Sequence, residues 1–298
     1  MDAENVGGLT GKLIGRATQL YVGHHQGEQL ERTIITMKRR EAACNLCLSV
    51  IIPTWNEEAW LPTLLEALGH CPEVHELIVA DNHSTDRTVE LARKAECIVV
   101  DGGTPAAGRN AGARVATGDI LLFVDADAVV TSRHVRRVLE VLGRLPTIGV
   151  LFPVVPMTND RFTRLCYKIM DIYVRILGVV GIRQGIGALI GVRAEKFREL
   201  GGFREVVSVG EDADFIRRLG DQGFIAYDRS MAVLVSARRF AIETPVVFAL
   251  KCVFWAALRL ARLRASGVPY SWRRYPISLA DRDRMYLDTV VGGPYGIS

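Results

Sequence analysis

The chain has 298 residues, 49% of them hydrophobic, and a formal net charge of +4, enough length for a full core in one large domain with or without appendages. No basic arm interleaved with aromatics is present, which argues against a nucleic-acid partner; no unbroken apolar run of about 18 residues reads as a spanning helix. Residues 1–20 lack the apolar centre of a signal peptide, and six scattered cysteines fit a reduced, cytoplasmic setting better than a disulfide framework.

Residues 1–44 carry Gly7, Gly8, Gly11, Gly15 and Gly23 with no period and read as a loosely ordered extension. Cys44 and Cys47 form a CxxC with no second pair at zinc spacing, so they read as space-filling at the start of a strand. Residues 48–52 form an apolar strand closed by Pro53. A short loop leads to a helix starting near Trp60, with Pro62 in its first turn and Leu61, Leu64, Leu65 and Leu68 on one stripe. A strand over 76–80, a helix over 86–95 and a strand over 97–100 repeat the rhythm. Thr104 is an N-cap with Pro105 following, and that helix runs to about Ala116. Gly108 and Gly112 let it approach a neighbouring backbone, and Gly118 is expected to be the left-handed residue beyond its end.

Ile120 to Val124 is long enough for a strand buried on both faces and too short for a helix. Asp125 and Asp127 follow at its carboxyl end, on one side if the strand continued. A helix with Val135, Val138, Leu139 and Leu142 inward comes next, then a strand over 149–154. Phe162, Leu165, Ile169, Ile172 and Ile176 mark a helix at 3-4-3-4 spacing. Residues 185–191 form a loop running into a strand, and a helix over 194–200 ends at Gly201. Glu211-Asp212 opens another helix, and strands over 224–227 and 232–235 close the pattern. The alternation implies right-handed crossovers and a mostly parallel, mixed central sheet, an α/β fold. The boundaries read as an extension (1–44), a main α/β domain (45–243), and a basic amphipathic helix with its tail (244–298). From Arg238 to Arg274 there are eight Lys or Arg against one acid, Glu243. This stretch, 245–274 above all, either lies on an anionic membrane surface or packs on the domain with snorkelling cations.

Strand ends in such a sheet collect on one edge, so Pro53, Thr54, Glu57, Asp81 and the Asp125/Asp127 pair should converge. Gathered carboxylates repel unless a cation separates them; a hard ion with oxygen ligands, Mn²⁺ or Mg²⁺, is the natural match and also holds phosphates. Asp81 is placed to accept hydrogen bonds from a base or ribose, and Arg109 to neutralise a diphosphate. Neither G-x-x-x-x-G-K-[ST] nor G-x-G-x-x-G is present, and there is no G-x-S-x-G elbow. Metal-assisted displacement on a nucleotide diphosphate remains.

The segments LSVIIPTWNEE (48–58), VADNHSTDRT (79–88), GRNAGARVATGDILLFVDADA (108–128) and GEDADFIRRL (210–219) together resemble the family 2 glycosyltransferases, over residues 47–240. The resemblance implies a three-layer GT-A fold and an inverting enzyme that moves one sugar from a nucleotide-diphosphate sugar, a UDP-sugar favoured, to a hydroxyl acceptor, saccharide or lipid-linked. It also implies that Pro53, Thr54, Glu57 and Asp81 frame the nucleobase and ribose, with Arg109 beside the nucleotide. Asp125 would contact ribose or a metal-bound water, Asp127 would ligate the metal, and Asp212 would be the general base, with Glu211 beside it at the substrate. The QxxRW motif of processive members is reduced to Ser236-Ala237-Arg238-Arg239-Phe240, so a single-sugar transferase fits better. Arg239 is then either a diphosphate contact or a core-edge cation. Against this stand a catalytically silent nucleotide-sugar-binding subunit and a sugar-phosphate nucleotidyltransferase, whose Gly-rich loop is missing. The Glu211-Asp212 pair would also suit a helix first turn.

Overall fold

In chain order the elements are β1 (Leu48–Thr54), α1 (Leu61–Gly69), β2 (Val74–Asp81), α2 (Thr88–Lys94), β3 (Ile98–Asp101), α3 (Pro105–Val115), β4 (Ile120–Val124), β5 (Ala128–Val129) and α4 (Ser132–Leu142). They continue with β6 (Thr147–Leu151), β7 (Val154–Met157), α5 (Arg161–Val179), β8 (Leu189–Arg193), α6 (Ala194–Glu199), α7 (Glu211–Gly220), β9 (Phe224–Tyr227) and β10 (Val233–Ser236). The structure is a computed structural model and describes residues 46–179, 181–207 and 210–238. The expectations for residues 1–44, for 245–274 and for Arg239 lie outside the described residues.

The main sheet has the order β3-β2-β1-β4-β8-β6-β9, and β5-β10-β7 form a second, small sheet. In the main sheet β8 alone runs antiparallel to its neighbours, β4 and β6. Alternation along the central strands builds a core on each face. Val50, Ile52, Leu122 and Val124 meet the leucines of α1 and the valines of α4. Ile51, Leu121 and Phe123 meet Ala106 and Ala113 of α3, Phe197 of α6, and Phe215 and Ile216 of α7. The result is helix, sheet, helix: three layers, as the alternation predicts. All five residues of β4 are buried, each worth ~1.5–3 kcal/mol in water-to-core transfer.

Thr104 Oγ1 accepts from Ala107 N–H at 3.4 Å, and Pro105 opens α3. A Cβ on Gly112 would collide with the Ile51 side chain, so the small stripe does bring α3 down onto β1, against side chains rather than bare backbone.

Two expectations are corrected. The single strand over 149–154 is two strands in different sheets. Pro153 has no N–H to continue a ladder, so β6 ends at Leu151 and the chain crosses over, Pro153 O accepting from Val233 N–H at 2.8 Å. Gly118 is not left-handed; α3 ends at Val115 with Ala116 already extended. Glycine is required there because a Cβ would lie 2.6 Å from Ser49 Oγ and 2.8 Å from Cys47 O.

Candidate active site

From β1 the chain moves outward through β2 to β3, then returns by α3 to β4 on the other side of β1. This reversal is a topological switch point, and its crevice lies at the carboxyl ends of β1 and β4. Thr54 ends one strand at that crevice and Glu57 follows it; Asp125 and Asp127 follow the other.

On the β2 side, Asp81 is 6% exposed. It accepts from Thr54 Oγ1 at 3.0 Å, Ser84 Oγ at 2.6 Å and Ser84 N–H at 2.8 Å. Ser84 Oγ in turn accepts from Asn56 N–H at 2.8 Å, and Asn56 Oδ1 accepts from Thr85 N–H at 2.8 Å. The loops after β1 and β2 are thus zipped together, with Asn56 and His83 in the left-handed region (φ 56° and 53°). Pro53 is half-buried within β1 and pairs with Ala80. The Asp-x-x-Ser spacing is the signal in the sequence for the hold of Ser84 on Asp81.

At β4 the strand stops at Val124, and Ala128 N–H closes a turn on Asp125 O at 3.0 Å. Strand alternation therefore does not apply, and the two carboxylates meet different arginines. Asp125 pairs with Arg109 at 2.7 Å, whose other terminal nitrogen pairs with Glu211 at 2.9 Å. Arg109 is 4% exposed, lies 5.4 Å from the Phe203 ring centroid, and carries an Nε with no hydrogen-bond partner. It therefore joins the turn after β4 to the first residue of α7. Asp127 pairs with Arg238 Nε at 3.1 Å, and the Arg238 fork reaches both Glu57 oxygens at 2.6 and 2.8 Å. Sequence reasoning chose Arg239 and missed Arg238. Arg238 lies two residues past Ser236, whose N–H donates to Asp127 O at 3.2 Å, a register that only the folded sheet supplies.

Burial pushes Glu57 up to about 7, against the Arg238 fork and with Asp127 and Asp125 adding to the rise. Burial also raises Asp125, opposed by Arg109 and reinforced by Asp127. Glu211 is raised by burial and by neighbouring Asp212, with Arg109 opposing. For Arg109 burial works downward, yet Asp125 and Glu211 outweigh it and hold the cation firmly charged. Asp127 and Glu57 do the same for Arg238.

Asp212 lies in the first turn of α7, where acids complement the helix dipole. Its Oδ1 accepts from Ala213 N–H at 2.7 Å and its Oδ2 from Gly187 N–H at 2.8 Å. The loop before β8 can come this close because residue 187 is glycine: a Cβ there would lie 2.8 Å from Asp212 Cβ.

The donor set suits a hard divalent cation. Among the described residues no three Asp, Glu, His or Cys side chains converge into a ready-made metal cluster, and Cys47, Cys71, Cys97 and Cys166 are free. One or two carboxylates with room for substrate phosphates is the usual arrangement for Mg²⁺ and Mn²⁺.

Residues 49–199, just over half of the chain, match the family model described as "Glycosyl transferase family 2". The chain belongs to this family. Among its relatives is an uncharacterized glycosyltransferase of Haemophilus influenzae, 30% identical over 181 residues, covering 58% of this chain and 61% of the relative. A 4,4'-diaponeurosporenoate glycosyltransferase of Staphylococcus haemolyticus is 38% identical over 106 residues, 33% of this chain and 28% of its own. This chain therefore spans less than two thirds of either relative. Among solved structures, glucosyl-3-phosphoglycerate synthase from Mycobacterium tuberculosis, in complex with Mn²⁺, UDP and glucosyl-3-phosphoglycerate, superposes with a TM-score of 0.58 at 21% identity, covering 78% of this chain and 86% of that one. The shared architecture is the GT-A fold expected of family 2.

Proposed function

We propose that this protein is a metal-dependent inverting glycosyltransferase that moves a single sugar from a nucleotide-diphosphate sugar, a UDP-sugar favoured, to a hydroxyl acceptor in glycan or glycolipid assembly. The carrying observation is the Arg109 bridge. One buried cation ties Asp125, two residues before Asp127, to Glu211, next to Asp212. The turn that would hold the donor's metal and the helix that would carry the base are thereby fixed to each other at the switch point. Family membership supports the reaction class, and the fold-related synthase with Mn²⁺ and UDP supports the donor and the cation.

In this reading Pro53, Thr54 and Asp81 line the nucleoside end of the crevice, with Asp81 pre-aligned by Ser84 to receive base or ribose hydrogens. Asp125, held by Arg109, faces the ribose. Arg109 and Glu211 are assigned to positioning, because Arg109 is buried and spends both terminal nitrogens on carboxylates. Asp127 would hold Mn²⁺ or Mg²⁺, with Arg238 and Glu57 beside it. The bound ion would stabilise charge on the departing nucleoside diphosphate as a Lewis acid. Asp212 Oδ takes the acceptor hydroxyl proton while that oxygen bonds to the anomeric carbon; the bond from this carbon to the diphosphate oxygen breaks on the opposite face. One displacement inverts the centre, so an α-linked donor yields a β-glycoside. Residues 245–274 are assigned a contact with an anionic surface from their charge; deleting 245–298 should weaken partitioning onto anionic membranes, and unchanged partitioning would refute it.

The test begins with a thermal-shift screen of nucleotide sugars with Mn²⁺ or Mg²⁺, in which bound donor raises the melting temperature. Asp212→Asn should then lower transfer by roughly 10²–10⁴ with the donor-induced shift retained. Equal loss of both sinks the base assignment, and full transfer by the variant sinks the mechanism.

A further inference from the structure

α5 shows an unpartnered face. Its exposed residues are Arg161, Phe162, Leu165, Lys168, Ile169, Ile172, Arg175, Ile176 and Val179: six apolar side chains, three cations and no acid. Ile169 is 57% exposed, Ile176 59% and Val179 88%. At 3.6 residues per turn the apolar six form one stripe, ~25 Å long at 1.5 Å per residue, and Arg161, Lys168 and Arg175 run beside it along one edge. The opposite face is the anchored one. Thr163, Cys166 and Leu177 are buried, the helix packs on β7, and its one acid, Asp171, accepts from Tyr227 Oη at 2.5 Å and pairs with Arg175 at 3.5 Å. A patch this large and continuous on a domain surface marks a contact site.

The charge pattern selects the occupant. A second copy packed antiparallel on the stripe would set the cationic edges against each other. Packed parallel, it would set them beside the edge that carries buried Cys166 and half-buried Tyr173, so in neither case does a carboxylate of the second copy meet them. The stretch from Arg239 to Arg274 is no better matched, since it holds seven Lys or Arg against Glu243 alone. An apolar stripe edged by cations suits the boundary between acyl chains and anionic headgroups. We infer that α5 lies in the plane of an anionic lipid bilayer, with Phe162, Leu165, Ile169, Ile172, Ile176 and Val179 entering the interface and Arg161 and Lys168 meeting phosphates. The placement is economical for an enzyme. β7, which leads into α5, pairs through Met157 with Ser236, the residue bonded to Asp127 O, and Tyr227 at the end of β9 holds the middle of the helix. A bilayer against α5 therefore borders the edge where the candidate site opens. The inference does not depend on the reaction, because lipid binding requires no turnover.

The test is co-sedimentation of the full chain with phosphatidylcholine vesicles, without and with about one third phosphatidylglycerol. The expected result is at least roughly tenfold stronger partitioning onto the anionic vesicles, weakened by added salt. Ile169→Glu/Ile176→Glu, at exposed positions where the melting temperature should hold, should lose roughly tenfold or more on both vesicle types. Arg161→Glu/Lys168→Glu should reduce the anionic preference severalfold. Wild-type partitioning by the apolar double variant, or no vesicle binding by the unaltered chain, would overturn the inference. So would light scattering that shows a dimer which this variant converts to monomer, since a second copy would then be the occupant.

Discussion

Arg109→Met isolates the cation that holds the site together. The substitution keeps the length and apolar stem of the side chain and leaves Glu211, 7% exposed in its side chain, buried without a counter-charge. Breaking a buried pair by removing one partner costs ~3–5 kcal/mol. Asp125 is 36% exposed and keeps part of its water, so its share is screened and the lower end, ~3 kcal/mol, is expected. For a domain of this size each kcal/mol moves the melting temperature by ~2–4 °C, which places the loss at ~6–12 °C. Urea denaturation followed by circular dichroism reads the free energy directly. Glu211→Gln in the Arg109→Met background removes the stranded charge and should recover roughly 1–3 kcal/mol, as expected for directly coupled neighbours. A single variant within ~1 kcal/mol of wild type, or strict additivity of the two changes, would show that Arg109 is not the buried tie between the turn after β4 and α7.

Gly187→Ala places a Cβ against Asp212; transfer should fall about tenfold or more, as small misplacements of a catalytic group do, while a calorimetric donor titration stays within error of wild type. Loss of donor affinity instead would mean that the loop serves the nucleotide. Glu57 binds its proton more tightly folded, at about 7, than unfolded. Between its ordinary value and about 7 the native state therefore carries the extra proton, and the Glu57 contribution to stability is lost as pH rises through that window. Urea midpoints for Glu57→Gln should accordingly decline less between pH 5 and pH 7.5 than those of the wild type, both values chosen to span roughly that window. Parallel profiles would show that the Arg238 fork keeps Glu57 ionised throughout.

The order of elements was legible because local signals agree with one another. Thr104 with Pro105, the leucine stripe of α1 and the apolar run of β4 each specify their element without reference to the rest. Four motif segments carried the family, and β-α alternation implied that Thr54, Asp81 and the Asp125/Asp127 pair would share one edge. What needed the fold was the pairing of charges. Asp125 and Asp127 are near neighbours in the chain, yet a turn closed on Asp125 O sends one to Arg109 and the other to Arg238. Arg109 and Glu211 are 102 positions apart, and Glu57 and Arg238 are 181 apart. Nothing local selects Arg238 from the Arg238-Arg239 pair until β10 is registered beside β5 and β7. The same limit applies to α5, whose 3-4 spacing says helix but cannot say which face the domain covers. Helices and strands follow from residues a few positions apart, whereas ion pairs and exposed faces depend on which elements the sheet order brings together.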